Sequence, residues 1–97
     1  PHIVLEDGTI KNSVIADGCI IDGTVLHSTV GYQTVVMKNS VIEDCVLLPQ
    51  TFISENVHLK NVIVNKGVIL PSNYRLIAND ITVIDSSNLN EAGEIDE

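Results

Sequence analysis

The feature that most constrains this chain is the stretch FISENVHLKNVIVNKGVILPSN, Phe52 to Asn73, whose apolar residues return with a beat that is neither helical nor that of a simple strand. Ile53, Leu59, Val64 and Leu70 head successive short segments, and four residues after each comes a second apolar residue, Val57, Ile63, Val68 and Tyr74 in turn. Polar or small residues fill most of the space between. This is the signature of a hexapeptide-repeat β-helix, a solenoid of short strands joined by turns. In extended backbone alternate side chains face opposite ways, so a head and the residue two places before it point inward together. Roughly three segments, or about 18 residues, then close one triangular coil of parallel strands.

The beat reaches back through heads at Leu5, Ile10, Ile15, Ile21, Leu26, Gly31, Met37, Ile42 and Leu48, five or six residues apart. The partner position, four after each head, tests this register independently, because choosing the heads does not force it to be apolar. It holds Thr9, Val14, Cys19, Val25, Val30, Val35, Val41, Val46 and Phe52, all apolar except the first. Just before it come Gly8, Ser13, Gly18, Thr24, Thr29, Thr34, Ser40, Cys45 and Thr51, each small enough for a tight corner. On this register Cys19 points inward and Cys45 occupies a corner. A helix is excluded: apolar residues do not recur at three and four, β-branched residues dominate, and glycines interrupt at short intervals. The chain is therefore expected to be all-β, a parallel β-helix of roughly four to five triangular coils over residues 1–84, with residues 1–4 as its entry segment. Asn79 and Asp80 interrupt the beat, ITVI at Ile81 to Ile84 offers one last strand, and residues 85–97 read as a mobile, acidic, polar tail.

Composition narrows the function classes. Hydrophobic residues make up 44% of the chain but aromatic residues only 3%, so the core must be built from Ile, Val and Leu in closely stacked strands. A net charge of −8 with five Lys and Arg gives no general attraction to nucleic acid or anionic lipid. The sequence has no run of about 18 apolar residues and no signal-peptide pattern, so no membrane partner and a soluble, cytoplasmic location are expected. Two cysteines, Cys19 and Cys45, are too few and too far apart for a zinc site or a disulfide framework. No glycine-rich loop leads into Lys or Arg, and no acidic pair follows a strand in a βαβ unit, so the chain carries no phosphate-transfer chemistry, no catalytic residue and no cofactor of its own. Gly8, Gly18, Gly23 and Gly67 read as corner glycines.

The blocks NSVIADGCIIDGTV (Asn12 to Val25), VLLP (Val46 to Pro49), the Phe52 to Asn73 stretch and the closing ITVI, in that order and with their shared five-residue shortenings, resemble the C-terminal domain of bacterial ADP-glucose pyrophosphorylase, glucose-1-phosphate adenylyltransferase. The resemblance covers Ile10 to Ile84. It implies a left-handed coil, an exception to the usual right-handed crossover. It also implies a preceding nucleotidyltransferase domain that binds magnesium and makes ADP-glucose from ATP and glucose 1-phosphate for glycogen or starch synthesis, in a homo- or hetero-oligomer. A non-catalytic regulatory subunit shares this architecture. Sugar-phosphate activators and nucleotide inhibitors bind such enzymes near the domain junction. Lys60 and Lys66 lie where some members carry arginines, and Arg75 lies just beyond, so these three are the candidate effector-phosphate residues. The arginine-rich segment of some members is replaced here by Ala78-Asn79-Asp80. Two rival readings are a hexapeptide acyltransferase using His2, His27 or His58 to activate an acceptor hydroxyl, and a purely structural β-helix.

Overall fold

A computed structural model of the chain describes residues 1–96 as a parallel β-helix of about five coils with three flat faces. The first face stacks Ile3–Val4, Ile20–Ile21, Val35–Val36, Phe52–Ile53 and Ile69–Leu70, every neighbour parallel. The second runs from Thr9–Lys11 through Thr24–Leu26, Val41–Glu43 and His58–Lys60 to Arg75–Ile77. On the third, Val14–Ile15, Thr29–Val30, Val46–Leu47, Ile63–Val64 and Val83–Ile84 lie in order. Residues 3–4, read as an entry segment, are thus the first strand of the first face.

The coil closes in 17 residues rather than 18: Val35 stands opposite Phe52, and Phe52 opposite Ile69. Two six-residue segments and one of five make each regular coil. An early coil is shorter, with Thr9 opposite Thr24, and the last is longer, with Ile63 opposite Val83. The interruption at Asn79 and Asp80 is therefore an insertion within the strand Tyr74–Ile84, and the register shifts there.

Corners repeat in columns of left-handed backbone. Gly18, Gln33, Gln50 and Gly67 form one, Asn39, Asn56 and Asn73 a second, and Asn12, His27, Asp44 and Asn61 a third, all with positive φ. Asn and Asp tolerate this conformation because their short polar side chains bond locally. Adjacent corners are also tied side chain to side chain. The Gln50 amide donates to Gln33 Oε1 at 3.0 Å, and the Asn56 amide to Asn73 Oδ1 at 2.8 Å.

Two inward positions per strand fill the prism. Ile21, Val36, Ile53 and Leu70 stack on the first face, Val25, Ile42 and Leu59 on the second, and Val30, Leu47, Val64 and Ile84 on the third, all buried. Each such side chain contributes about 1.5–3 kcal/mol by leaving water. This corrects the expected register at five heads, the first being Leu5, which follows Val4, the residue opposite the inward Ile21. The others, Leu26, Gly31, Met37 and Leu48, lie one residue past the inward position and are half-buried, while Val25, Val30, Val36 and Leu47 point in. Apolar residues stand side by side in every one of these pairs but Val30 and Gly31, so spacing alone does not choose between them, and a one-residue slip reverses the side chain.

The fixed offset of four also fails after every five-residue segment, where the inward residue comes three after the head. Hence Val62 rather than Ile63, and Cys45 rather than Val46, face the core. Cys45 is buried and not at a corner, correcting the sequence expectation, and Ile63 lies half-buried on the outer surface. Buried hydroxyls are satisfied by the coil beside them. Ser28 Oγ accepts from the Cys45 N–H at 3.0 Å, and Ser40 Oγ accepts from the Val57 N–H at 3.0 Å while donating to the Ser54 carbonyl at 2.6 Å.

Residues 85–96, read from sequence as a polar tail, fold over the last coil. A short helix, Leu89–Ala92, packs Leu89 and Ala92 on the core, and Glu94–Ile95 adds an antiparallel strand to Tyr74–Arg75. The Tyr74 hydroxyl donates to the Leu89 carbonyl at 2.6 Å, and burial pushes its phenol above the ordinary value. Gly93 sits so close to the Tyr74 ring that an added Cβ would overlap it. Asp85 accepts from the Ser87 and Asn88 N–H groups, and bonding from Ser87 holds its carboxyl below the usual range.

Candidate functional site

The three candidate phosphate residues are not gathered in one place. Lys60 and Arg75 both project from the second face on neighbouring strands, Lys60 opposite Ile77 and Arg75 opposite His58. Lys66 stands before the left-handed Gly67 at the corner between the third and first faces. A solenoid corner separates it from the other two.

Arg75 lines two hollows in the surface. On one side lies an open groove of about 360 Å³ bounded by Leu76, Ile77, Glu91, Ala92, Gly93 and Glu94. On the other, a small cleft of about 30 Å³ joins it to Asn56, His58, Asn73 and Asp96. The groove exists because the cap returns antiparallel along the strand that carries Arg75, setting Glu94 directly across from it. Three carboxylates, Glu91, Glu94 and Asp96, line these two hollows with one guanidinium. The resulting field is negative, so an anion settling on Arg75 meets repulsion as well as attraction.

The histidines do not converge. His2 is exposed near the first strand, His27 is exposed at a corner with φ +49°, and His58 is half-buried on the second face between Val41 and Arg75. Among the described residues no group of three His, Cys, Asp or Glu is placed to hold a metal ion. Both cysteines are free and buried. Burial raises the Cys45 thiol to about 11, so at neutral pH it is protonated and a poor nucleophile.

What the repeat register overlooked is the outer surface. Every two-residue strand of the first face is a pair of apolar neighbours: Ile3-Val4, Ile20-Ile21, Val35-Val36, Phe52-Ile53 and Ile69-Leu70. Successive residues of a strand face opposite ways, so one of each pair must be outside. The signal was therefore present as doubled apolar residues. Among the described residues no helix is long and apolar enough to cross a membrane.

A family model described as GlmU-like, C-terminal hexapeptide, matches residues 4–89. No curated protein matches the chain.

Proposed function

We propose, from the premise that this chain belongs to the GlmU-like C-terminal hexapeptide family, that it is the regulatory and assembly domain of a sugar-nucleotide pyrophosphorylase of the glucose-1-phosphate adenylyltransferase kind. In this reading the chain is joined to a nucleotidyltransferase domain, in a catalytic or a regulatory subunit, and that other domain holds ATP, glucose 1-phosphate and magnesium. The observation that carries the reading is the match over residues 4–89, almost the whole solenoid, together with the order of the sequence blocks from Asn12 to Ile84.

Within this proposal Lys60 and Arg75 are the effector-facing pair, and Lys66 belongs to a different surface. The carboxylates beside Arg75 weaken phosphate binding by the pair alone. A phosphorylated effector therefore needs further contacts from the joined domain, consistent with a junctional site.

The test has two arms. The chain alone should release no pyrophosphate from ATP and glucose 1-phosphate with magnesium, because the groups that position the phosphates lie elsewhere. Joined to its nucleotidyltransferase domain, Lys60→Ala with Arg75→Ala should shift sensitivity to a phosphorylated effector, whereas Lys66→Ala should not. Acetyl transfer from acetyl-CoA by the chain alone, abolished by His27→Ala or His58→Ala, would overturn the proposal in favour of an acyltransferase.

A further inference from the structure

The first face carries an unbroken outward ladder of Ile3, Ile20, Val35, Phe52 and Ile69, each opposite the next. Ile3 and Ile69 are 58% and 66% exposed, and Ile20 and Phe52 each 38%. The second face presents Thr9, Thr24, Val41, His58 and Arg75 in the corresponding column, and on the third Thr29 separates the exposed Val14 from Val46, Ile63 and Val83. What sets the first face apart is that its apolar stripe is unbroken, and such a stripe on a strongly acidic chain marks a contact surface. Tyr32, 45% exposed at the adjoining corner, adds an aromatic group of the type enriched in interfaces.

We propose that this face binds a second copy of the chain, with the two solenoids antiparallel and the two-fold axis passing between the Val35 and Phe52 strands. The charges at the two edges of the face select this arrangement. One edge carries Asp17, Tyr32, Pro49 and Lys66 in successive coils, and the other carries Asp22, Lys38 and Glu55. With the axis between Val35 and Phe52, Asp17 meets Lys66 of the second copy and Lys38 meets Glu55. Val35 packs on Phe52 and Ile20 on Ile69, and the symmetry makes every contact twice. Moving the axis onto the Val35 strand sets Lys38 against Lys38. Running the solenoids parallel brings Asp17 against Asp22 and pairs no opposite charges. Like charges across a contact are costly, so they exclude those registers even where opposite pairs add little.

Within one chain Asp17 lies 3.3 Å from the terminal amino group and Lys38 lies 3.6 Å from Asp7. Both pairs are solvent-exposed and can exchange partners. Four strands overlap in the proposed contact, giving a patch of roughly 20 Å by 20 Å, or about 400 Å² per partner. That is about half the standard size, so the dimer should be reversible and concentration-dependent.

This inference deepens the assembly half of the proposed function but rests on the surface of this chain alone. It is tested by sedimentation equilibrium from micromolar to millimolar chain, whereas the enzymatic reading is tested by pyrophosphate release in the joined protein. A reversible monomer–dimer equilibrium is expected. Lys66→Glu should weaken it about tenfold or more, and Asp17→Lys with Lys66→Glu should restore it to within about threefold. Phe52→Asp should abolish it with unchanged circular dichroism, because that side chain lies outside the core. Lys11→Glu, on the second face, should leave it unchanged. A chain monomeric at every concentration would assign the face to a different protein and overturn the proposal. A dimer indifferent to Phe52→Asp, or one weakened by Lys66→Glu but not restored by the double exchange, would equally overturn it.

Discussion

The two ends of this solenoid share one topology but are filled and closed differently. In the N-terminal coils the residue two before the inward head is small: Gly8 and Gly23 on one face, Ser13 and Ser28 on another, and Cys19 on the third. Toward the C-terminus the same columns hold Val57 and Tyr74, Val62, and Val68, all buried. The coil lengthens in the same direction, from the short span between Thr9 and Thr24 to the long one between Ile63 and Val83. A short coil leaves less room inside, so its fillers shrink, and packing density is kept. The ends diverge further. Tyr74 and the helix Leu89–Ala92 cover the last coil, whereas Ile3, Val4 and Leu5 are exposed at the first. In a solenoid each coil is the lid of the one before it, so an end must be covered by something other than repeat.

The largest effect should come from charging the filled end. Val57→Asp places an unpaired carboxylate where a wholly buried valine sits, and should cost more than about 4 kcal/mol and unfold the chain, as read by circular dichroism. Glu55→Ala, two residues earlier at an exposed corner, should change stability by less than about 0.5 kcal/mol in a urea titration followed by circular dichroism. Equal tolerance at both would break the distinction between core and corner.

Glycine substitutions sharpen the contrast between the short coil and the regular ones. Gly23 needs its small size: an added Cβ would lie 2.7 Å from the Met37 and Ser40 carbonyl oxygens. Gly67 has nothing within 4 Å but adopts φ +75°. Gly23→Ala should therefore cost about 1–3 kcal/mol from overpacking, and Gly67→Ala about 1–2 kcal/mol from backbone strain. Asparagine discriminates the two causes. Gly67→Asn should recover much of the loss, as asparagine does in the neighbouring corner columns, while Gly23→Asn should be worse than Gly23→Ala in thermal melts.

The smallest effect concerns the cap. Tyr74→Phe keeps the ring and removes only the hydrogen bond to the Leu89 carbonyl, a loss of about 0.5–1.5 kcal/mol. Hydrogen exchange should speed up over residues 85–96 and stay unchanged in the coils around Ile42 and Ile53. Uniform acceleration along the chain would mean that the cap and the coils open together, and that the cap is not a separate closure of the last coil.

Much of this was legible in the sequence, and the reason is local. The Leu59, Val64 and Leu70 beat identified the solenoid because a strand alternates its side chains whatever it packs against. The order of blocks from Asn12 to Ile84 pointed to the family resemblance for the same reason, since each block is one strand with its corner. Doubled apolar residues such as Phe52-Ile53 announced an outward ladder as well, because adjacent strand residues cannot both point inward. Which member of Val25-Leu26 or Leu47-Leu48 is buried could not be read this way. Both are apolar, and the choice is made by the strands stacked on either side.

Other features depended on residues brought together from distant parts of the chain. Cys45 is buried because its segment is one residue short and its N–H meets Ser28 Oγ on the preceding coil, a contact between residues one full turn apart. Lys60 and Lys66 are near in sequence, yet a corner between them turns the chain to another face, while Lys60 and Arg75 come together because the coil returns after 17 residues. The cap was hidden for a related reason. Residues 85–96 carry too few apolar groups to announce structure, and they become ordered only where the last coil offers Tyr74, the Asn73 carbonyl and an unpaired strand edge to bond. Sequence fixes the local alternation of a solenoid strand, but what covers its ends and which charges share a face are set by the closure of the coil in space.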